Sequence, residues 1–245
     1  MTITFSATNQ EGLMINKDHL IIPQHRHKDK VVVIMGVTGT GKTRLSIDLA
    51  TFYKGLNIVT NKVTDEESRG VPHYLLRIVD PEIDFTVRDF DHHVLLTCEV
   101  ITRRGQLPII SSGSNSYIKA LVIDDVGFRS KYECCFLWVD VLIPIFHVYV
   151  SIRVDEMVDC GLGEEVKNFF DPKGDYARGI RHAIGVPEMD EFFRNECMVD
   201  GEARVELLEA CIGHIKENTC KLACHQLQNI LRLGELLEWR IHSLE

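Results

Sequence analysis

A chain of 245 residues, 45% hydrophobic and carrying a formal net charge of −9, is long enough for one large or two small domains with a real core. The acidic balance excludes a broad basic surface for duplex nucleic acid. The longest apolar run, Cys134 to Pro144, is interrupted by Asp140 and is too short to span a bilayer, so no membrane partner is expected.

Residues 1–29 hold few large apolar clusters and read as a mobile leader. Glu11 and Asp18 count against a transit peptide, so the first expectation is a cytoplasmic protein, with plastid or mitochondrion as the alternative. Residues 30–35, a β-branched run, predict a buried strand. It leads into Gly36-Val37-Thr38-Gly39-Thr40-Gly41-Lys42-Thr43, which fits G-x-x-x-x-G-K-[ST]. Leu45, Leu49 and Phe52 follow at helical spacing. Strand, glycine loop and helix together form a phosphate site, with backbone N–H groups converging on an anion. Lys42 would reach the β/γ-phosphates and the Thr43 hydroxyl would ligate Mg²⁺. A second strand should follow the first helix. Instead Tyr53 passes straight to Lys54-Gly55, and Ile58-Val59 is too short for a central strand.

Thr86 and Asp89 form a capping-box signature, and Gly105 after Arg103-Arg104 closes that helix. Residues 107–111 and 134–141 are the remaining strand candidates. From Pro144 onward the pattern is helical throughout. Pro172 and Gly174 mark a loop over residues 171–175. Leu208, Cys211, Ile212, Ile215, Thr219, Leu222, Ala223, Leu227, Ile230 and Leu231 form an apolar stripe on one long helix. The fold class is α/β: a P-loop nucleotide-binding parallel sheet with a helical insertion and a long C-terminal helix, short of its second strand. Residues 30–143 form the P-loop core and 144–200 the helical insertion. Residues 201–245 form a C-terminal helix returning to the core. The eight cysteines are scattered, and Cys220-x3-Cys224-His225 has no second ligand pair. Reduced thiols are expected, rather than disulfides or zinc.

Several motifs now carry a resemblance. They are Gly36 to Thr43, Gly55-Leu56-Asn57-Ile58-Val59-Thr60-Asn61-Lys62, Gly113-Ser114-Asn115-Ser116-Tyr117, Arg153-Val154-Asp155-Glu156-Met157 and Gly179-Ile180-Arg181-His182-Ala183-Ile184-Gly185-Val186-Pro187-Glu188, with residues 70–76, 134–140 and 215–223. In that order the chain resembles the plant adenylate isopentenyltransferases, relatives of the tRNA dimethylallyltransferases. The resemblance implies transfer of a dimethylallyl group from dimethylallyl diphosphate to the N6 atom of ATP, ADP or AMP, in cytokinin biosynthesis, by a Mg²⁺-dependent monomer. A tRNA acceptor is the alternative, disfavoured by the net charge and by the lack of a Cys-x2-Cys and His zinc finger. A non-catalytic nucleotide-binding or degenerate member is a further alternative.

By resemblance, Thr38 supports the bridging oxygen of the diphosphate. Gly36, Gly39, Thr40, Gly41, Lys42, Thr43 and Ser114 bind phosphate. Arg153, Lys216 and Lys221 hold the prenyl diphosphate. The family also carries a segment like Asn-Ser-Asp-Lys-x-Gln-Val-Tyr, whose Asp is the general base. Here about fifteen residues, a strand with its loop, are absent at this point. The base goes with them, and impaired activity is expected. Ser114 could instead cap the following helix. Asp140 could touch Mg²⁺ through water or be a strand-end turn residue, and His73 reads as a packed loop histidine rather than a base.

Overall fold

A computed structural model describes residues 27–37, 52–60, 62, 64–68, 70–111, 114–236 and 241–244. Most of the leader and the loop from Thr38 to Thr43 lie outside them.

Strand β1 (Asp29–Gly36) is buried on both faces through its second half, as its unbroken apolar run requires of a central parallel strand. It pairs in parallel with β2 (Ile109–Ser111) and β3 (Tyr132–Val139), placing Val33 between Ile110 and Phe136. Strand β1 is longer than its sequence pattern suggests, β2 is shorter, and β3 begins and ends two residues earlier. Short β4 (Ile241–Leu244) adds in parallel to β3, giving the order β2-β1-β3-β4. This corrects the all-helical reading beyond Pro144. Ile-His-Ser-Leu shows no strand signal of its own, and the pairing comes from the open side of β3, where the Asp140 N–H also donates to the Leu244 carbonyl (3.0 Å).

Between β1 and β2 the described residues contain no strand, in keeping with the gap in the sequence. Tyr53 makes a single parallel bridge to Val79, with the Lys54 N–H donating to Val79 and the Val79 N–H to Phe52 (2.8 and 2.9 Å). Strand β2 is therefore the sheet edge, yet Ile110 and Ser111 are fully buried. Among the described residues the Ser111 hydroxyl finds no hydrogen-bond partner, the signature of an edge that has lost a neighbour.

Helix α1 (Asp65–Ser68) is a single turn. Helix α2 (Val87–Arg103) starts at the expected reciprocal box between Thr86 and Asp89, and Gly105 follows it at φ +69°. Helix α3 (Asn115–Lys119) continues as a π-helical turn, Ala120–Asp124. Asp125 then caps α4 (Val126–Lys131) through the Phe128 N–H (2.6 Å). The helical part comprises α5 (Ile143–Asp159), α6 (Leu162–Phe169), a 3₁₀ turn (Gly179–His182), α7 (Val186–Asn195) and the 36-residue α8 (Gly201–Leu236). Of the α8 stripe, Cys211, Ile215, Ala223 and Ile230 are buried, together with Gln226 and Leu233, while Leu231 faces solvent. Buried Glu188 joins α7 to α8, accepting from the Gly185 N–H and from Asn218 Nδ2 (2.7 Å each). All eight cysteines are free thiols, as expected. Among the described residues no cluster of three His, Cys, Asp or Glu side chains could hold a metal, and no helix is long and apolar enough to cross a membrane.

Candidate functional site

Parallel strands leave their carboxyl ends open for ligands, and a cavity of about 570 Å³ lies at that end of β2. The start of α3 (Ser114, Asn115, Ser116) forms one wall, and α5 contributes Val150, Arg153, Val154 and Met157. Gly179 and His182 come from the 3₁₀ turn, and α8 supplies Thr219, His225, Gln226 and Asn229. Tyr53, Val59 and Thr60 join apolar Ala183, Ile184, Ile215 and Leu222 in the lining. Among the described residues that line it there is no Asp or Glu. Arg153 is the one Arg or Lys among them, a setting suited to an anion.

Asn115 ties the walls together. Its Nδ2 donates to the Gln226 carbonyl (2.8 Å), while its buried Oδ1 has no partner among the described residues. Tyr53 Oη accepts from the Phe85 N–H (3.2 Å), and Tyr117 Oη donates to the Phe85 carbonyl (3.0 Å). Burial raises the pKa of both phenols.

Residues 55–60 form a turn that packs inward with Lys62. Leu56, Val59, Thr60 and Lys62 are all buried. The Thr60 and Lys62 N–H groups donate to Leu56 and Asn57 (3.1 and 2.9 Å), and Lys62 Nζ donates to the Gly55 carbonyl. From α6, the Glu165 carboxylate accepts from the Ile58 and Val59 N–H groups at 2.9 Å. Burial, assisted by the charge of Arg77 and opposed by Glu165, lowers the Lys62 pKa from 10.5 to about 8. The unfolded chain then binds more protons between those values, so stability rises with pH through that window. Relative to Lys62→Met, the unaltered chain should gain roughly 1–2 kcal/mol between pH 8 and 9.5. Urea midpoints of the two proteins across that range test this; parallel curves refute it.

The structure brings only some of the expected residues together. Gly36 ends β1, while Thr38, Gly39, Thr40, Gly41, Lys42 and Thr43 lie outside the described residues. Ser114 and Arg153 share the cavity. Ser114 stands at the start of α3 without a side-chain capping bond, its Oγ 3.1 Å from Ser116 Oγ. Lys216 and Lys221 do not line the cavity: Lys216 pairs with Asp155 (2.6 Å) and exposed Lys221 with Glu217 (3.0 Å). Asp140 is exposed one residue beyond β3, where its Oδ1 accepts from the Val141 N–H (2.8 Å). His73 is a loop residue with Nδ1 2.7 Å from the Val71 carbonyl oxygen. Sequence reasoning did not single out Asn115 and His182 within their motifs, nor Gln226 and Asn229, which lie outside every motif. It also missed Arg181, which donates to the Phe169 carbonyl (2.9 Å) and lies over the Phe169 ring, joining α6 to the 3₁₀ turn.

A four-stranded parallel sheet packed with helices, with a cavity at its carboxyl end, defines an α/β protein. The family model for IPP transferase matches residues 51–128 and 124–232, and the chain belongs to that family. It is 53% identical to Adenylate isopentenyltransferase 5, chloroplastic, of Arabidopsis thaliana over 98% of this chain and 76% of the relative. It is 52% identical to Adenylate isopentenyltransferase 3, chloroplastic, over 89% and 69%. The first alignment spans 255 positions, whereas 98% of 245 residues is about 240. The surplus of roughly fifteen has the size of one strand and its connection. Among solved structures, a tRNA isopentenylpyrophosphate transferase from Bacillus halodurans shares the fold at TM-score 0.74 and 23% identity, over 89% of this chain and 90% of that one.

Proposed function

We propose that this chain carries the apparatus of an adenylate isopentenyltransferase, for dimethylallyl transfer to N6 of ATP, ADP or AMP, and that loss of the second-strand segment impairs it. The observation that carries this reading is the cavity: Arg153 faces a space that no carboxylate lines among the described residues. Arg153 receives the prenyl diphosphate through its guanidinium fork, while Lys216 and Lys221 stay with their ion pairs. Ser114 and the loop from Gly36 through Thr38 to Thr43 hold the phosphates. Asn115 Oδ1, a buried acceptor without a partner among the described residues, suits a donor such as the adenine amine. The Asp140 carboxylate, one residue past Val139 and so beside the strand end at Gly36, is a hard oxygen donor of the kind Mg²⁺ takes. Asp140 and Thr43 would hold the ion, which neutralises charge on the departing diphosphate.

During transfer the amine nitrogen bonds the allylic carbon as the carbon–oxygen bond to diphosphate breaks, and the amine proton must leave. The family's aspartate for that proton is absent here. The division into core, helical insertion and C-terminal return is part of the same reading. The chloroplast location in the relatives' names supports the plastid alternative, which a fluorescent fusion would show. Chromatography of reactions containing Mg²⁺, dimethylallyl diphosphate and each nucleotide tests the activity. Binding tests the site independently: Arg153→Ala should weaken inorganic diphosphate at least about tenfold, as losing hydrogen bonds to a charged group does, and Lys221→Ala should not. Equal calorimetric affinities for the two variants would remove Arg153 from the anion site.

A further inference from the structure

A buried amide oxygen is costly unless something donates to it. Asn115 Oδ1 is such an atom. Asn115 is 3% exposed, and among the described residues no N–H or O–H group reaches its oxygen. None of the other buried side-chain atoms left without a partner there belongs to a residue that lines the cavity, whereas Asn115 lines it. Which amide atom is the free one follows from chemistry. A carbonyl oxygen only accepts, so the group that meets the Gln226 carbonyl at 2.8 Å is the NH₂. The oxygen is thereby turned the other way, and it can only receive a hydrogen bond.

The amide is also held in place. Asn115 is the first residue of α3 and Gln226 belongs to α8, so their hydrogen bond fixes the side chain between two helices. Apolar Val154, Met157, Ile184, Ile215 and Leu222 stand around the same space, a lining that admits a flat aromatic ring. A purine entering there meets a fixed acceptor. A 6-aminopurine offers it an exocyclic N–H group. A 6-oxopurine offers a carbonyl oxygen instead, which sets acceptor against acceptor, and a purine with nothing at C6 offers no donor at that position. A site that hydrogen-bonds a ligand group rejects the analogue lacking it, because its own buried polar atom is then left unpaired.

We propose that Asn115 is the residue that selects a 6-aminopurine over a 6-oxopurine, an assignment that rests on the nucleotide reading above and adds a determinant of base specificity to it. Asn115 acts on binding and takes no proton, so the selection stands whether or not the chain turns over. Calorimetry of the full chain with Mg²⁺ tests this with AMP, IMP and purine riboside 5′-monophosphate, three ligands alike in ribose and phosphate. The unaltered chain should bind AMP about tenfold or more tightly than either of the others, as an unpaired buried acceptor requires. Asn115→Leu, close to it in size, should bind all three alike and bind inorganic diphosphate as the unaltered chain does. Should that variant lose its helical circular dichroism signal, Asn115→Ala replaces it and carries the same outcomes. AMP bound no better than IMP by the unaltered chain, or a preference surviving in a folded variant, overturns the assignment and leaves nucleotide binding standing. Binding of none of the three nucleotides overturns it together with the nucleotide reading.

Discussion

Restoring the absent strand should raise prenyl transfer by about a hundred- to ten-thousand-fold, the usual contribution of a positioned general base. The insertion carries Asn-Ser-Asp-Lys-x-Gln-Val-Tyr, with its connection, between Tyr53 and Lys54. Tyr53, already bridged to Val79, then leads into the new strand. Strand β2 offers an open edge, and the buried Ser111 hydroxyl lacks a partner among the described residues. The insertion thus gains a ladder, and the acceptor gains a fixed position, which is worth further powers of ten. The assay is formation of N6-prenylated AMP, ADP or ATP, with an Asp→Asn version of the insertion to separate base from scaffold. If both insertions accelerate equally, the carboxylate is not the proton acceptor. If the unmodified chain already turns over within about tenfold of an intact relative, another group performs that role.

The second large effect concerns folding. Gly179→Ala should destabilise the protein by about 3 kcal/mol or more, because strain and overlap act together. Gly179 sits at φ +57°, where side chains are unfavourable, and an added Cβ would lie 2.3 Å from the Pro81 carbonyl oxygen. That carbonyl also accepts from the Ile180 N–H (3.3 Å), so backbone on both sides resists movement. The 3₁₀ turn carries buried Arg181 and the cavity residue His182, and its displacement would reach both. Gly213→Ala is the opposite case. Gly213 is exposed within α8 with nothing within 4 Å of the added carbon, and alanine should stabilise by about 0.5–1 kcal/mol. Urea midpoints shifting in the same direction for both variants would contradict the argument.

What the sequence reveals here is what neighbouring residues decide. The apolar run of β1, the box between Thr86 and Asp89, and the stop after Gly105 all rest on spacing within a few positions. The gap after Tyr53 was legible because an α/β unit has an expected rhythm, and the loss shows in the edge position of β2. Strand β4 was not legible, since Ile241 to Leu244 become a strand only against β3. The pairing of Lys216 with Asp155 joins two helices and was not legible either. Asn115 and Gln226 meet across 111 residues, a separation that no local pattern encodes.

The clamp of Glu165 on the Ile58 and Val59 amides spans 107 and 106 residues of chain. Closing so long a loop is entropically costly and comes after local helices have formed. During synthesis the turn over residues 55–60 is made well before α6, yet its amides have to wait for the Glu165 carboxylate. The cavity wall at Val59 and Thr60 is therefore among the last parts to consolidate in a nascent chain. Until α6 arrives, the turn is within reach of chaperones and of other unfinished chains.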